Sequence, residues 1–286
     1  MIANPSVSIE TMSWLRKILG GDVAAIRPLP GGIASSVDVL TMVDGRRLVL
    51  RRWTRPGWRE DEPVFGPENE IAALAAIAGT GLPVPRLVAA DPDGEFCDFP
   101  ALLMTWLPGT ILSSATHVSA DAEQLTPDML RQLVDAANVL HTLDGRGLAT
   151  FEPYTDLSLA KPPPQSGRPG LWEKGFEVLA AEGPPAPPVF VHRDYHPGNT
   201  LWRDGRLTGI VDWTNSSRGP AGYDFGYMRI NLVIAYGQAM ADLLLSFVDG
   251  HHPYWDLAAF LDMYWGNELA GPLDVLETFL ESLLDG

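Results

Sequence analysis

Residues 189–213 read V-F-V-H-R-D-Y-H-P-G-N-T-L-W-R-D-G-R-L-T-G-I-V-D-W. An apolar run at the start gives way to a polar loop, and a second apolar run ends abruptly on Asp212. A carboxylate at the end of a buried strand needs a partner, a metal or a hydrogen-bond network, because an unpaired buried charge is costly. This stretch therefore predicts a site of chemistry, and the rest of the chain is interpreted around it.

The middle of the stretch predicts a β-hairpin. Asp204-Gly205 lies between two apolar runs, a pattern typical of a tight turn between antiparallel strands. Such a hairpin brings Asn199 near Asp212, and amide and carboxylate oxygens are ligands that suit Mg²⁺. Asp194 then lies where phosphoryl transfer places the group that accepts a hydroxyl proton. The pattern favours a magnesium-dependent phosphoryl-transfer site.

The chain before residue 107 predicts a sheet with helices. A helix is expected over 8–19, where Ser8 can serve as its N-cap, and another over 67–78. Leu107-Pro108-Gly109 then reads as a hinge. Five strands are predicted, at 23–29, 33–43, 46–53, 86–90 and 100–106.

Two features of this first part suggest a phosphate site. Arg51 ends the apolar run of the third strand, and Glu70 lies in the first turn of the following helix. Glu70 is explained either by the helix dipole or by an ion pair with Arg51. Gly31 and Gly32 precede the second strand, where glycines let a backbone approach a ligand closely or simply form a turn.

After the hinge the chain predicts mostly helix. A proline- and glycine-rich segment, 145–188, is either a substrate rim or a variable surface connection. Helices are predicted at 126–143, 171–181, 223–235, 238–248, 254–267 and 273–284.

The central motif resembles the catalytic core of the aminoglycoside phosphotransferase family. His192, Asp194 and Asn199 stand in the form H-x-D-x-x-P-G-N, and Asp212 follows after an apolar run. The resemblance extends to Arg51, Glu70, residues 82–85 and residues 102–104, and so covers nearly the whole chain.

The resemblance implies an α+β fold of the bilobal protein-kinase-like type. The N-terminal lobe, 1–106, is expected to bind nucleotide through a five-stranded antiparallel sheet with one packed helix. The C-terminal lobe, 107–286, is expected to be mainly helical and to carry the catalytic hairpin and the substrate site.

The resemblance also implies a role for each matching residue. Asp194 resembles the catalytic aspartate that orients or deprotonates the acceptor hydroxyl. His192 resembles the histidine that supports the loop, and Asn199 and Asp212 resemble the metal ligands. Glu70 resembles the helix glutamate that positions the phosphate-binding cation. That cation is Arg51, where a lysine is usual, so its contact with phosphate has a different geometry. The expected nucleotide-binding residues are Arg51, Glu70, Gly31, Gly32, Ser35, Ser36, Met104 and Trp106.

The implied activity is transfer of the γ-phosphate of ATP or GTP, with Mg²⁺, to a hydroxyl of a small molecule. The expected acceptor is an antibiotic of the aminoglycoside or macrolide type. One alternative is a metabolic kinase of choline, homoserine or a sugar. An alternative of another class is a nucleotide-binding pseudokinase that acts as a scaffold.

Several other polar residues are expected to be structural. Asp224-Phe225-Gly226 spells a kinase metal-binding triplet, but Asp224 opens a helix and is interpreted as its N-cap. In the family, an Asp at this place resembles a residue that braces the catalytic loop. Packing, capping or hydrogen-bonding roles are expected for His141 and His196. His251 and His252 are not expected to bind a metal together, because adjacent side chains at a helix end point apart. Most acids of the C-terminal helices are expected to be solvated: Asp256, Asp262, Glu268, Asp274 and Glu277.

Composition narrows the class of protein. The 286 residues carry 20 Lys+Arg and 36 Asp+Glu, a net charge of −16 that argues against a nucleic-acid partner and suits a cationic small molecule. No apolar run reaches the roughly 20 residues of a membrane span, and we expect no signal peptide. The single cysteine, Cys97, fits a reducing compartment such as the cytoplasm. A monomer or homodimer is expected.

Overall fold

The computed structural model describes residues 6–29, 35–61, 64, 66–114, 123–181, 183–263 and 271–285. The chain forms two compact units. The first unit comprises Met1–Leu107 together with Asp212–Asn215, and the second comprises Pro108–Val211 and Ser216–Gly286. The predicted roles of 1–106 as the nucleotide-binding lobe and 107–286 as the catalytic lobe stay predictions.

The first unit is built on one antiparallel sheet of five strands in the order β1-β2-β3-β5-β4. All five strands were predicted, with bounds that differ by a few residues. The strands are β1 (Val23–Leu29), β2 (Ser36–Met42), β3 (Arg47–Arg52), β4 (Leu87–Asp91) and β5 (Ala101–Thr105).

Three helices accompany this sheet. Helix α1 (Ile9–Leu19) begins after Ser8, whose side chain accepts a hydrogen bond from the Thr11 N–H as an N-cap should. Gly20 ends α1 in the left-handed conformation that glycine adopts without strain. A short helix, α2 (Trp58–Asp61), was not predicted, and α3 (Pro67–Ile77) starts with the expected proline.

The core of the first unit lies on one face of the sheet. Side chains of α1, β2, β3 and β5 pack there, and Cys97 is part of the same cluster. Burial of each large aliphatic side chain contributes about 1.5–3 kcal/mol. Burial also raises the pKa of the Cys97 thiol to about 12, so Cys97 behaves as a packing residue.

The second unit combines six helices with two three-stranded sheets in its described part. One sheet has the order β10-β9-β6 and contains the predicted hairpin, and the other has the order β7-β11-β8. The strands are β6 (Thr110–Ile111), β7 (Ala149–Thr150), β8 (Pro188–Val191), β9 (Thr200–Arg203), β10 (Arg206–Ile210) and β11 (Ser217–Pro220). The helices are α4 (Pro127–Leu140), α5 (Pro169–Ala180), α6 (Ala221–Tyr236), α7 (Gln238–Leu245), α8 (Pro253–Asp262) and α9 (Leu273–Asp285).

Two expectations for this unit are wrong. Asp224 is not an N-cap: α6 begins at Ala221, after Pro220, so Asp224 lies inside the first turn and is fully buried. The expectation that the C-terminal acids are mostly solvated also fails. Asp256, Asp262 and Glu277 are buried against partners on other elements, while Asp274 is exposed as predicted and Glu268 lies outside the described residues.

Each of these buried carboxylates has polar partners that offset the cost of its burial. Asp256 pairs with Arg229 at 2.5 Å and with His251 at 2.8 Å, which ties α6 to α8. Asp262 accepts hydrogen bonds from Thr155 N–H at 2.8 Å and from the Tyr223 hydroxyl at 2.7 Å. Glu277 accepts from the Trp172 indole N–H at 3.1 Å. These carboxylates are buried because such partners offset their desolvation.

None of the helices in the described part of the chain is long and apolar enough to cross a membrane.

Candidate active site

In the first unit, Arg51 is the centre of a buried ionic group. Its Nη1 lies 3.2 and 3.1 Å from the two carboxylate oxygens of Glu70 and 2.7 Å from Oδ1 of Asp212. Its Nε donates to the Ser35 hydroxyl at 2.9 Å. The ion pair expected between Arg51 and Glu70 is therefore present. The contact with Asp212 was not predicted.

Local structure explains why these groups meet. Arg51 lies on β3 and Glu70 in the first turn of α3, where an acid is favoured by the helix dipole as well as by the ion pair. Thr214, two residues after Asp212, donates from its hydroxyl to Glu70 at 3.3 Å. Asn69 donates to the Thr214 carbonyl at 2.7 Å. The segment that follows β10 is thereby fastened to α3.

The electrostatics of this group keep Arg51 charged. Burial acts to lower the pKa of Arg51, but the charges of Asp212 and Glu70 outweigh it and raise that pKa above its ordinary value. The Asp212 side chain is 39% exposed, against 2% for Glu70, so the Asp212 carboxylate can reach a ligand. The Asp212 backbone has φ 64°, a conformation that aspartate tolerates better than most residues.

The other expected nucleotide-binding residues have different environments. Gly31 and Gly32 lie outside the described residues. Ser36 is buried in β2, directly opposite Arg52. Met104 is buried in β5, and Trp106 stacks against the Arg47 guanidinium, whose carbon lies 3.4 Å from the ring centroid.

In the second unit, residues 192–199 form the loop between β8 and β9, which we call the catalytic loop. The N–H groups of His192 and Arg193 donate to the two oxygens of Asp224, at 2.9 and 2.7 Å. The His141 ring contacts the same carboxylate at 2.9 Å. Asp224 braces the loop, as the family resemblance implied, by accepting hydrogen bonds from two of its backbone N–H groups.

The far end of the loop is fixed by the hairpin. The His192 Nε2 lies 3.0 Å from the carbonyl oxygen of Val211, and the Val211 N–H donates to the Asn199 carbonyl at 2.9 Å. Pro197–Asn199 form one turn of 3₁₀ helix, with the His196 Nδ1 accepting from the Gly198 N–H at 3.0 Å. These bonds support the prediction that His192 and His196 have structural roles.

The side chains of Asn199 and His196 contact Asp194. The Asn199 amide nitrogen donates to Oδ2 of Asp194 at 2.9 Å and to its carbonyl at 3.0 Å. The His196 Nε2 lies 3.6 Å from Oδ1. The Asp194 side chain is 22% exposed, so part of it remains open to a ligand.

The surroundings keep Asp194 ionised. Burial acts to raise its pKa, but the charge and hydrogen bond of His196 oppose burial most strongly. The charge of His192 and the nearby Tyr227 hydroxyl act in the same direction, and the pKa falls well below the ordinary carboxyl value. A carboxylate that stays ionised and partly exposed can orient a hydroxyl group and accept its proton.

The side chains present fit a hard cation. Because the Asn199 amide nitrogen is bonded to Asp194, the side-chain oxygen of Asn199 keeps its acceptor capacity for another partner. Within the described residues, no cluster of three or more His, Cys, Asp or Glu side chains is arranged to hold a metal ion. Mg²⁺ takes one or two protein oxygens and completes its shell with water and phosphate, so an amide oxygen such as that of Asn199 is a ligand of a suitable type.

Motif analysis missed Tyr227, whose ring lies beside that of His196 with centroids 6.2 Å apart. It lies on α6 three residues after Asp224, so the two side chains share one face of the helix. Once Asp224 is recognised as the residue that braces the loop, this spacing is the signal that identifies Tyr227.

Comparison with known proteins agrees with this description. The N-acetylmuramate/N-acetylglucosamine kinase of Pseudomonas aeruginosa is 28% identical over 166 residues, which are 55% of this chain and 47% of that protein. The macrolide 2'-phosphotransferase MphH of Brachybacterium faecium has a similar structure, with a TM-score of 0.62 and 21% identity over 90% of this chain and 89% of that one.

A thermostable mutant of aminoglycoside phosphotransferase APH(4)-Ia, in a ternary complex with AMP-PNP and hygromycin B, gives a TM-score of 0.65. It is 16% identical, over 96% of this chain and 98% of that one. These structures confirm the predicted α+β, kinase-like fold. The model of the phosphotransferase enzyme family (APH) matches residues 25–261, and the chain therefore belongs to that family.

Proposed function

We propose that the protein is a magnesium-dependent kinase that transfers the γ-phosphate of ATP or GTP to a hydroxyl group of a small molecule. The observation that carries the proposal is the ionised, partly exposed Asp194 carboxylate, oriented by Asn199 in a chain of the phosphotransferase family. The ternary complex of the APH(4)-Ia relative with AMP-PNP supports a nucleotide as co-substrate.

In the proposed reaction, Asp194 accepts a hydrogen bond from the acceptor hydroxyl and directs its oxygen at the γ-phosphorus. The new O–P bond forms as the bond from the γ-phosphorus to the β–γ bridging oxygen breaks, and the hydroxyl proton passes to Asp194. The products are the phosphorylated acceptor and a nucleoside diphosphate.

We assign the binding of phosphate and metal to the remaining polar residues. Arg51, held by Glu70, binds phosphate oxygens, and Ser35 supports the guanidinium. Asn199 and Asp212 would hold Mg²⁺, which supplies positive charge against the phosphate oxygens when it is bound. Gly31, Gly32, Ser36, Met104 and Trp106 remain proposed nucleotide contacts.

Two acceptor classes are compatible with this site: an antibiotic of the aminoglycoside or macrolide type, and a metabolite such as a sugar. One observation favours an acceptor without several ammonium groups. Asp256, Asp262 and Glu277 of the C-terminal helices are engaged by internal partners, so they are not free to bind ammonium ions. The kinase of N-acetylated sugars in Pseudomonas aeruginosa supports the same choice.

The test is a panel of acceptors incubated with ATP or GTP and Mg²⁺. The panel contains aminoglycosides, macrolides, N-acetylated and simple sugars, choline and homoserine. We expect mass spectrometry to detect one added phosphoryl group on a sugar or macrolide, with weaker or no reaction for aminoglycosides. Nucleotide binding without phosphorylation of any acceptor would favour the pseudokinase alternative.

The remaining parts of the proposal concern the cellular location and the oligomeric state of the protein. We propose a cytoplasmic location, supported by the single, buried cysteine, and a monomer or homodimer as the active form.

A further inference from the structure

Asp212–Asn215 form a short segment of the first unit, although the chain on both sides of it belongs to the second unit. Trp213–Asn215 make one turn of 3₁₀ helix, and the side chain of Trp213 is fully buried. Asp212, the proposed metal ligand, comes directly before this turn and has a positive φ of 64°. A backbone in this region keeps its conformation only where neighbouring groups hold it. The groups that hold the segment therefore decide where the Asp212 carboxylate lies.

Two residues in the first turn of α3 hold the segment at Thr214. Asn69 donates from its side-chain amide to the Thr214 carbonyl at 2.7 Å, and both residues are buried. Glu70 accepts a hydrogen bond from the Thr214 hydroxyl at 3.3 Å. The bond from Asn69 joins groups 145 positions apart in the chain and ends on a backbone atom. It therefore fixes the backbone two residues beyond Asp212.

Asp212 has a second support, which a bound nucleotide would disturb. Its Oδ1 lies 2.7 Å from Nη1 of Arg51, and the same nitrogen lies 3.1 Å from Glu70. In the proposed function Arg51 binds phosphate oxygens and Asp212 binds Mg²⁺, so both ligands compete with this ion pair. The bond from Asn69 to the Thr214 carbonyl uses no atom that phosphate or metal would take. It can therefore persist when nucleotide and metal are bound.

We propose that Asn69 is a positioning residue for the proposed metal ligand Asp212. Its amide fixes the backbone at Thr214, and through that backbone it keeps the Asp212 carboxylate in place when Arg51 binds phosphate. Asn69 itself touches neither substrate nor metal. The inference rests on the proposed function, because it needs Asp212 to hold Mg²⁺. It predicts that loss of the amide weakens nucleotide binding with Mg²⁺ and leaves metal-free binding unchanged.

The test variant is Asn69→Leu, whose side chain is of similar size and has no hydrogen-bond donor. Calorimetry gives the Kd of AMP-PNP for this variant and for wild type, once with Mg²⁺ and once with EDTA. We expect the Kd with Mg²⁺ to rise about 3- to 10-fold, the usual effect of one lost hydrogen bond, and the Kd with EDTA to change by less than about twofold. The thermal unfolding midpoint shows whether the variant is folded. Asn69→Ala, which only shortens the side chain, is the second variant and should give the same result.

A double-variant cycle shows whether Asn69 acts through Asp212. Asp212→Ala removes the carboxylate that Asn69 is proposed to position. In the Asp212→Ala background, Asn69→Leu should change the Kd with Mg²⁺ by less than about twofold, because the two substitutions then remove the same interaction. A further loss of about 3- to 10-fold in that background would mean that Asn69 acts through another group, and it would contradict the inference.

The matched control is Gln132→Leu, which also removes an amide that joins a helix to the backbone near β10. Gln132 lies on α4, donates to the Gly205 carbonyl at 2.9 Å and accepts from the Leu207 N–H at 3.0 Å. These contacts lie at the start of β10, whereas Asp212 follows its end. We expect both Kd values of this control to equal those of wild type. If a folded Asn69→Leu protein binds nucleotide like the control, Asn69 is only a structural residue and the inference is wrong.

The binding and transfer experiments separate this inference from the proposed function. If wild type binds nucleotide in a Mg²⁺-dependent way and Asn69→Leu does so equally well, the inference alone is overturned. If wild type phosphorylates no acceptor but Asn69→Leu shows the expected difference between Mg²⁺ and EDTA, the proposed function is overturned and Asn69 remains a positioning residue of a pseudokinase. Nucleotide binding by wild type that does not depend on Mg²⁺ overturns both. Equal weakening with Mg²⁺ and with EDTA in Asn69→Leu would also contradict the inference.

Discussion

At the scale of single residues, the Arg51–Glu70 ion pair shows what motif spacing can predict. An ion pair with Arg51 was one of two explanations for Glu70 and the one that the family resemblance favoured, and the two residues do pair, at 3.1 Å. The spacing did not predict that Asp212 shares the same guanidinium nitrogen, because that contact depends on where the segment after β10 lies.

The Arg51–Glu70 pair leads to a prediction about stability. In Arg51→Met the Glu70 carboxylate, 2% exposed, loses its cation, and we expect the free energy of unfolding to fall by about 3–5 kcal/mol. The double variant Arg51→Met/Glu70→Met replaces both charges with apolar groups of similar size and should recover most of the loss. Denaturant titration of the three proteins measures this. If the double variant were less stable than Arg51→Met, the unpaired Glu70 carboxylate could not be the cause of the stability lost in Arg51→Met.

At the scale of elements, hydrophobic periodicity predicted the five strands of the first unit and most helices of the second. It could not predict β6, β7 and β11, which have only two to four residues and carry no periodic pattern of their own. Helical periodicity also gave the wrong solvent exposure for Asp256, Asp262 and Glu277, which are buried. Acids on amphipathic helices are usually solvated, and only tertiary partners such as Arg229 make their burial favourable.

The link between α6 and the catalytic loop gives a prediction at this scale. Asp224→Ala removes the acceptor for two buried N–H groups, those of His192 and Arg193. We expect a loss of about 2–5 kcal/mol in the free energy of unfolding, because each unsatisfied buried donor costs about 1–3 kcal/mol. The control is Asp274→Ala at an exposed position of α9, which should change stability by less than about 0.5 kcal/mol. Equal stability of the two variants would exclude the bracing role of Asp224.

At the scale of the whole molecule, the fold class could be predicted because both halves of the chain carried their own signals. Alternating apolar residues with turn pairs marked the sheet, helical periodicity marked the second half, and the motif around Asp194 linked them to one family. The acceptor could not be predicted in the same way. Acceptor specificity depends on which side chains tertiary packing leaves accessible to a substrate, and local sequence patterns do not encode this.

The proposed nucleotide site gives a prediction for the protein as a whole. A ligand that binds only the folded state raises stability, by about 2.7 kcal/mol at a concentration 100 times its Kd. We expect a non-hydrolysable ATP analogue to raise the thermal unfolding midpoint more with Mg²⁺ than with EDTA. This difference should vanish in Asp212→Ala. It should persist in Asp22→Ala, an exposed acid of the same unit that is paired with Arg16. If Mg²⁺ raised the unfolding midpoint of Asp212→Ala as much as that of wild type, Asp212 would not be a metal ligand.

The most direct test of the central claim is transfer of the γ-phosphate by wild type and by Asp194→Ala. The acceptor product is measured by mass spectrometry or ³¹P NMR, and nucleotide affinity is measured by calorimetry. We expect Asp194→Ala to bind nucleotide as wild type does and to transfer phosphate about 10²- to 10⁴-fold more slowly, the usual contribution of a positioned acid or base. Near-wild-type transfer by a folded Asp194→Ala protein would contradict the assignment of Asp194 and the mechanism built on it.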